Sequence, residues 1–282
     1  MNTELEDKIV EEVTKNTIGK ITDGVIDFLS YICKPAAKEF GLLLKDHIAF
    51  YRMKNLVKII NKTKAILSAQ QITEYNFVSP KLLKEIIEES SWAEDEELQN
   101  LWAGLLSGEA KFGNPQDDGI IYTNILKSIS SFEARMLKLI YSDYRICSMS
   151  SPLSPLPFLF KPENKIVFPI ITILKTFPGK LDFVVKNTSH EEIINNEENH
   201  NLAFGFLTPQ MEALKRHDLI ANFEYTNRIQ NDIRFHPTSV GLDLYMRCTG
   251  YKVYPLEAYI LSRQKWCKSE NIDPFWWSPF NE

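Results

Sequence analysis

The side chains that most often carry chemistry are scattered along this sequence. The five histidines form no His-Glu-x-x-His motif, and none stands beside cysteines at the spacing of a metal site. The four cysteines are far apart and include no Cys-x-x-Cys pair, so we expect free thiols in a reducing compartment. The glycines form no phosphate-binding loop of the Walker or dinucleotide type. We therefore expect no catalytic residues, no metal, no cofactor and no small-molecule substrate.

Carboxylates are densest from Glu94 to Glu97, where four acidic residues follow one another. Adjacent side chains of a helix point in different directions, so these carboxylates do not converge as an acid-base pair must. Acidic residues in the first turn of a helix are stabilised by the helix dipole. We therefore interpret the run as the solvated start of a helix. The tryptophans at its two ends, Trp92 and Trp102, are expected to be core residues.

Composition and charge limit the class of protein. With 282 residues, of which 44% are hydrophobic, the chain is long enough for two domains with sizeable cores. The net charge of -5 gives no overall attraction to phosphate, so a nucleic-acid contact must come from a local patch. The N-terminus is acidic, unlike an export signal, and the apolar run Ile166 to Leu174 is about half of the roughly 20 residues that span a membrane. A cytoplasmic protein is expected, with peripheral attachment to the inner membrane as an open alternative.

The fold class predicted is mainly α, with an N-terminal helical domain over residues 1–145. Ser79 and Pro80 suit the N-cap and first position of a helix, and Ser130 with Glu133 forms a capping box. The predicted segments are an amphipathic stretch from Ile9 to Ile32, a basic helix from Phe40 to Leu67, a helix from Ser79 to about Ser90, a helix from Glu94 to Ser107, a loop from Gly108 to Gly119, and helices from Ile120 to Ile129 and from Phe132 to Tyr144.

A smaller α+β domain, similar to a winged helix, is predicted over residues 146–250. It is expected to open with a proline-rich linker, and the segment from Ile166 to Phe177 fits either a strand or a proline-kinked stretch. The features expected after that are an exposed polar insertion from Asn187 to Asn201, a helix opened by Thr208 and Pro209, a hairpin formed by Phe223 to Thr226 and Ile233 to Phe235, and a last helix capped by Thr238. An aromatic extension, residues 251–282, follows.

The basic helix is the first candidate for a functional surface. Between Lys34 and Lys64, eight Lys or Arg residues are opposed only by Glu39 and Asp46. Such a helix can lie on anionic lipid or dock on a protein partner. Because acidic helices follow it at once, we favour side-by-side packing with complementary charge. The candidate contact residues are Lys45, Arg52, Lys54, Lys58 and Lys62 of this helix, with Trp276 and Trp277 of the extension. The aromatic residues of the extension form either an anchor or a strap over the core of this chain, and we favour the strap.

The winged-helix pattern provides a second candidate surface, for nucleic acid. In that interpretation the helix from Thr208 to His217 enters a groove of the duplex. The basic residues that would contact phosphate are Lys215, Arg216, Arg228 and Arg234. Nearby acidic residues dilute their charge, which weakens the prediction because positive patches dominate the affinity for DNA.

Several segments occur in an order that points to one family. They are KPAAKEFG (34–41), AFYRMKNLVKIINKTKAIL (49–67), SPKLLKEIIEESSWAEDEELQNLWAGLLSGE (79–109), SSFEARMLKLIY (130–141), LKRHDLI (214–220) and FHPTSVGLDLYMRC (235–248). Together they resemble the Abi-alpha (abortive infection alpha) family of bacterial phage-resistance proteins, from about residue 30 to residue 248. The family usually has Leu-Gly where this chain has His217 and Asp218, so we expect an irregular turn without a glycine C-cap.

The resemblance implies a role in abortive infection, in which an infected cell stops growing or dies before the phage matures. It supplies neither a mechanism nor catalytic residues. We expect a non-enzymatic component of antiphage defence that acts through protein or membrane-surface contacts, with a protein partner or with self-association. A winged-helix regulator that binds nucleic acid is the alternative, and an unrecognised enzyme is the third hypothesis.

Overall fold

The computed structural model describes residues 24–25, 27–33, 47–113, 119–142, 165–176, 197–226 and 232–250. This part of the chain is mainly helical and contains a small antiparallel sheet towards its C-terminal end, which confirms the predicted fold class. A helical stretch at residues 24–25 and 27–32 comes first. The elements after it are α1 (His47–Ala69), α2 (Pro80–Ser90), α3 (Glu96–Phe112), α4 (Gly119–Leu126), α5 (Ser131–Tyr141), β1 (Ile166–Pro169), α6 (Ile170–Leu174), α7 (Glu197–Arg216), β2 (Ile220–Tyr225), β3 (Asp232–Pro237) and α8 (Ser239–Arg247).

The chain divides into two compact units. The first runs to Lys127 and also includes Cys248 to Lys252, and the second contains the residues from Ser128 to Arg247. In this division α5 belongs to the second unit, although the sequence placed it before the predicted boundary at residue 145. The division into domains of residues 1–145, 146–250 and 251–282 stays a prediction.

The first unit is built on the packing of α1 against α3. The inward side of α1 buries Leu56, Ile59 and Ile60, and Trp102 of α3 is buried as predicted. Helix α2 begins at the expected cap, because the Ser79 hydroxyl accepts a hydrogen bond from the Leu82 N–H at 3.2 Å. The predicted cap at Ser79 and the predicted helix start in the acidic run thus each precede a helix with a buried side, α2 and α3 respectively.

Helix α3 begins as the acidic run predicted but ends later than expected. Asp95 caps it by accepting from the Glu97 N–H at 3.0 Å, and the exposed Glu96 lies in its first turn. The predicted loop from Gly108 to Gly119 is wrong for residues 108–112, which continue the helix. Residues 108–110 are buried there, and their packing outweighs the low helix propensity of glycine. The helix ends at Gly113, whose φ of 62° suits a residue without a side chain.

In the second unit, β3 is the central strand of a three-stranded antiparallel sheet with the order β1-β3-β2. Both interpretations of the segment from Ile166 to Phe177 are partly right, because a strand ends at Pro169 and α6 follows it. The predicted helix start at Thr208 and Pro209 is wrong, since both residues lie inside α7. The polar residues 197–201, which read as an insertion, form the first turns of that helix, and Pro209 is tolerated on its exposed side.

The turn that leaves α7 is regular, contrary to expectation. Asp218 adopts the left-handed conformation, with a φ of 58°, that glycine would provide. The Leu219 N–H then bonds the Leu214 carbonyl at 2.9 Å, and the Asp218 N–H bonds the Lys215 carbonyl at 3.0 Å. These two bonds form a Schellman motif with aspartate in the glycine position.

Tyr141 of α5 joins three segments of the second unit. Its buried hydroxyl donates to the Leu219 carbonyl at 2.6 Å and accepts from the Thr238 N–H at 2.9 Å. Thr238 caps α8 as predicted, because its hydroxyl accepts from the Gly241 N–H at 3.0 Å. Burial raises the pKa of Tyr141 to about 12, since the charged phenolate is disfavoured away from water.

Candidate functional site

Much of the predicted basic surface of α1 is bound within the first unit. Lys62 donates to the Asn100 side chain at 2.5 Å and pairs with the Glu96 carboxylate at 3.3 Å. Lys64 donates to the Gly24 carbonyl at 2.7 Å. The basic and acidic helices therefore lie side by side with complementary charge, the arrangement that the sequence favoured.

The remaining described lysines of the candidate surface are Lys54 and Lys58. Both are exposed and stand one helical turn apart on the outer side of α1. Lys45, Trp276 and Trp277, which the sequence grouped with them, lie outside the described residues. The described part of this surface thus presents one pair of cations to solvent.

Arg52 makes a different set of contacts, at the corner between α2 and α3. Its Nε donates to the Ser91 hydroxyl at 2.9 Å and its Nη2 donates to the Glu88 carbonyl at 3.2 Å. Its guanidinium carbon lies 4.7 Å from the centroid of the Trp92 ring. We refer to Arg52, Glu88, Ser91 and Trp92 as the Trp-Arg surface.

Trp92 is not a core residue, which corrects the prediction. Its side chain is 52% exposed, while Trp102, at the other end of the acidic run, is 1% exposed. The sequence carried a signal for this difference: Trp92 follows Ser90 and Ser91 at the end of α2 and lies outside the apolar stripes of both neighbouring helices. A large aromatic side chain in a connection, away from either stripe, is a candidate for contact rather than for packing.

The side chains of the Trp-Arg surface are held in fixed positions. Tryptophan and arginine are the residue types most enriched among those that dominate binding energy at protein interfaces. The guanidinium is held by two hydrogen bonds and by the face of the ring, so little side-chain freedom remains to be lost on binding. Asn55 also stabilises this corner, because its buried side-chain amide donates a hydrogen bond to the Ser91 carbonyl at 3.0 Å.

The candidate nucleic-acid residues fall on different elements of the second unit. Lys215 and Arg216 are exposed in the last turn of α7, whereas Arg234 lies on β3 opposite Glu224 in the strand register. Glu224 accepts a hydrogen bond from Lys165 at 2.8 Å, and chiefly this bond lowers its pKa. The carboxylate therefore stays charged and offsets the positive charge of the sheet. Arg228 lies outside the described residues.

One polar chain in the second unit has the residue types of a hydrolytic triad. The Ser128 hydroxyl lies 3.4 Å from Nδ1 of His217, and Nε2 of His217 lies 3.5 Å from the buried Glu133 carboxylate. Both distances are longer than those of strong hydrogen bonds. Glu133 has a structural role besides, because its other oxygen accepts from the Ser130 N–H at 2.7 Å in the predicted capping box. The arrangement holds the start of α5 against the end of α7.

Among the described residues, no group of three or more His, Cys, Asp or Glu side chains is placed to hold a metal ion. No helix in the same part of the chain combines the length and the apolar character that crossing a membrane requires.

Comparison with known proteins identifies the family. The family model described as abortive infection alpha matches residues 52–248, well over half of the chain. The protein therefore belongs to the abortive infection alpha family, as its sequence segments indicated. No curated protein and no solved structure matches the chain.

Proposed function

We propose that the protein is a non-enzymatic component of bacterial antiphage defence that acts in the cytoplasm through contacts with another protein. Membership of the abortive infection alpha family supports the role in defence. The Trp-Arg surface supports the mode of action, and the observation on which the proposal rests is the exposed Trp92 ring held against Arg52. A protein partner that inserts an apolar or acidic group beside this ring would gain both aromatic packing and a charge-assisted hydrogen bond.

Attachment to an anionic membrane through α1 is less well supported. Each Lys or Arg near an anionic membrane surface contributes about 1 kcal/mol. Lys54 and Lys58 together would then contribute about 2 kcal/mol, which is too little for stable attachment without a further anchor. The other described basic residues of α1 are bound to the first unit itself.

A nucleic-acid-binding winged helix is the second candidate function. This candidate is supported by the order α5, β1, α6, α7, β2, β3 with the strand order β1-β3-β2, which is the order expected of a winged helix, and α7 would be its recognition helix. The same fold also serves as a protein-interaction module, so topology alone does not select DNA. Retardation of a random duplex by the purified protein, lost as salt is raised, is the result that this candidate requires.

An infection assay separates protein contact from membrane contact. Cells that express Trp92→Ala should lose protection, because the centre of the Trp-Arg surface is removed. Cells that express Lys54→Glu/Lys58→Glu should remain protected, and the purified variant should float with anionic liposomes no less than the wild type. Lost protection in the lysine variant together with intact protection in Trp92→Ala would reject protein contact at this surface.

A further inference from the structure

The outer face of α7 is a second exposed surface, in the other unit of the chain. Its exposed positions recur at steps of three and four, while the opposite side of the helix is buried in the second unit. The centre of the exposed face is formed by Leu202, Gly205, Pro209, Glu212 and Arg216, with Asn201, Thr208 and Lys215 exposed beside them, and the buried positions are Ala203, Leu207, Met211 and Leu214. From Leu202 to Arg216 the outer face is therefore a continuous strip.

The middle of this strip is apolar and exposed to solvent. Leu202 is 44% exposed, and a Cβ atom added at Gly205 would meet none of the described residues within 4 Å. A glycine inside a helix costs about 1 kcal/mol relative to alanine. Packing against the described residues of the second unit gives no reason for that cost, because none of them lies close to this position. A helix of another molecule could approach α7 most closely at such a position.

The charges at the two ends of α7 are opposite. The helix begins with Glu197 and Glu198, and it ends with Lys215 and Arg216. If a second α7 lies antiparallel to the first and overlaps it over its full length, the acidic end of each helix meets the basic end of the other helix. A parallel pair would instead place like charges together. Antiparallel alignment also opposes the two helix dipoles favourably.

We propose that two copies of this chain associate through the outer face of α7, antiparallel and with full overlap, with Gly205 near the two-fold axis. A two-fold interface uses the same strip on both subunits, so the charge match occurs twice. Leu202 and Pro209 supply apolar contact on either side of the axis. A helix of this length is about 30 Å long, so its face buries an area at the low end of protein interfaces. The dimer is accordingly weak and depends on concentration.

Sedimentation equilibrium of the full chain, from about 1 to about 100 μM in low salt, tests this interface. The wild type should dimerise within that range, and Lys215→Glu/Arg216→Glu should weaken dimerisation at least about tenfold because it places acid against acid. Glu197→Lys/Glu198→Lys should do the same. The variant that combines all four substitutions should dimerise again. Lys54→Glu/Lys58→Glu, which changes the charge equally in the first unit, is the matched control and should behave as the wild type.

A second variant tests the close approach without changing charge. Gly205→Trp places a large side chain in open space, so the fold should be retained and circular dichroism should be unchanged. Dimerisation should weaken at least about tenfold, because helices pack only when their axes come within about 8–10 Å. A wild type that stays monomeric to the highest concentration overturns the proposal. So does a dimer that resists the charge reversals, or a folded four-substitution variant that remains monomeric.

Discussion

The guanidinium carbon of Arg52 lies 4.7 Å from the centroid of the Trp92 ring, so α1 and the connection between α2 and α3 present one fixed surface to solvent. Neither residue was expected in this arrangement. Arg52 was grouped with the other basic residues of its helix, and Trp92 was assigned to the core. The hydrogen bond from Arg52 to Ser91 joins residues 39 positions apart in sequence, a distance over which helical periodicity carries no information.

The Tyr141 hydroxyl should contribute strongly to the stability of the second unit. Tyr141→Phe leaves the buried Thr238 N–H without its acceptor and the Leu219 carbonyl without its donor. We expect the free energy of unfolding to fall by about 1–3 kcal/mol, measured by urea denaturation. Tyr225→Phe is the matched control, because the Tyr225 hydroxyl bonds the exposed Thr208 and should matter less. Equal losses in the two variants would contradict the assigned role of Tyr141.

The raised pKa of Tyr141 predicts a loss of stability in alkali. The unfolded chain releases this proton near pH 10.0, whereas the folded protein keeps it until about pH 12. The folded state therefore binds more protons between these values, and stability falls as the pH rises, by about 3 kcal/mol in total. Well below pH 10.0 the tyrosine is protonated in both states, so stability does not change with pH through this group. The stability difference between wild type and Tyr141→Phe should accordingly shrink between pH 9 and about pH 11.5, and a constant difference would contradict the prediction.

Gly104 of α3 should not tolerate a side chain. A Cβ atom at this position would overlap the carbonyl oxygen of Cys248, which belongs to the same unit and passes directly over the helix. Gly104→Ala should therefore lower the melting temperature despite alanine's higher helix propensity, with a loss of about 1–3 kcal/mol. Gly205→Ala, with open space around it, is the matched control and should stabilise the protein slightly. A stabilised Gly104→Ala would show that Cys248 does not lie over α3.

The polar chain from Ser128 to Glu133 provides the test of the enzyme hypothesis. If the protein acts without chemistry of its own, Ser128→Ala and His217→Gln should protect infected cultures as the wild type does. The two long contacts of His217 support this expectation, since a general base must be close to the proton it removes. Protection lost in both variants, at unchanged protein level and unchanged stability, would revive the enzyme hypothesis.

Local signals predicted the elements that begin with a cap, and tertiary packing decided the others. Ser79, Ser130 with Glu133, and Thr238 could be recognised because a cap and its helix are adjacent in sequence. The early start of α7 could not be recognised, because a buried stripe outweighs the breaking effect of Pro209. The extension of α3 depends in the same way on burial of residues 108–110.

The candidate sites were predicted only as sets of residue types. The sequence identified the cations of α1, but it could not show that Lys62 and Lys64 are bound within their own unit. It also placed Arg234 with Lys215 and Arg216, whereas strand pairing sets Arg234 against Glu224. Partners that come from distant segments decide which charges remain available, and one sequence does not reveal them.

Phage plating on cells that express Trp92→Ala tests the proposed mode of action most directly. Phe77→Ala is the matched control, because Phe77 is a similarly exposed aromatic residue of the first unit, at 62% against 52% for Trp92. Both variants should fold, since removing an exposed side chain usually changes stability by about 0.5 kcal/mol or less. We predict that Trp92→Ala restores plating to the level of unprotected cells while Phe77→Ala protects as the wild type does. Full protection by Trp92→Ala, at the same protein level, would contradict a partner contact at the Trp-Arg surface.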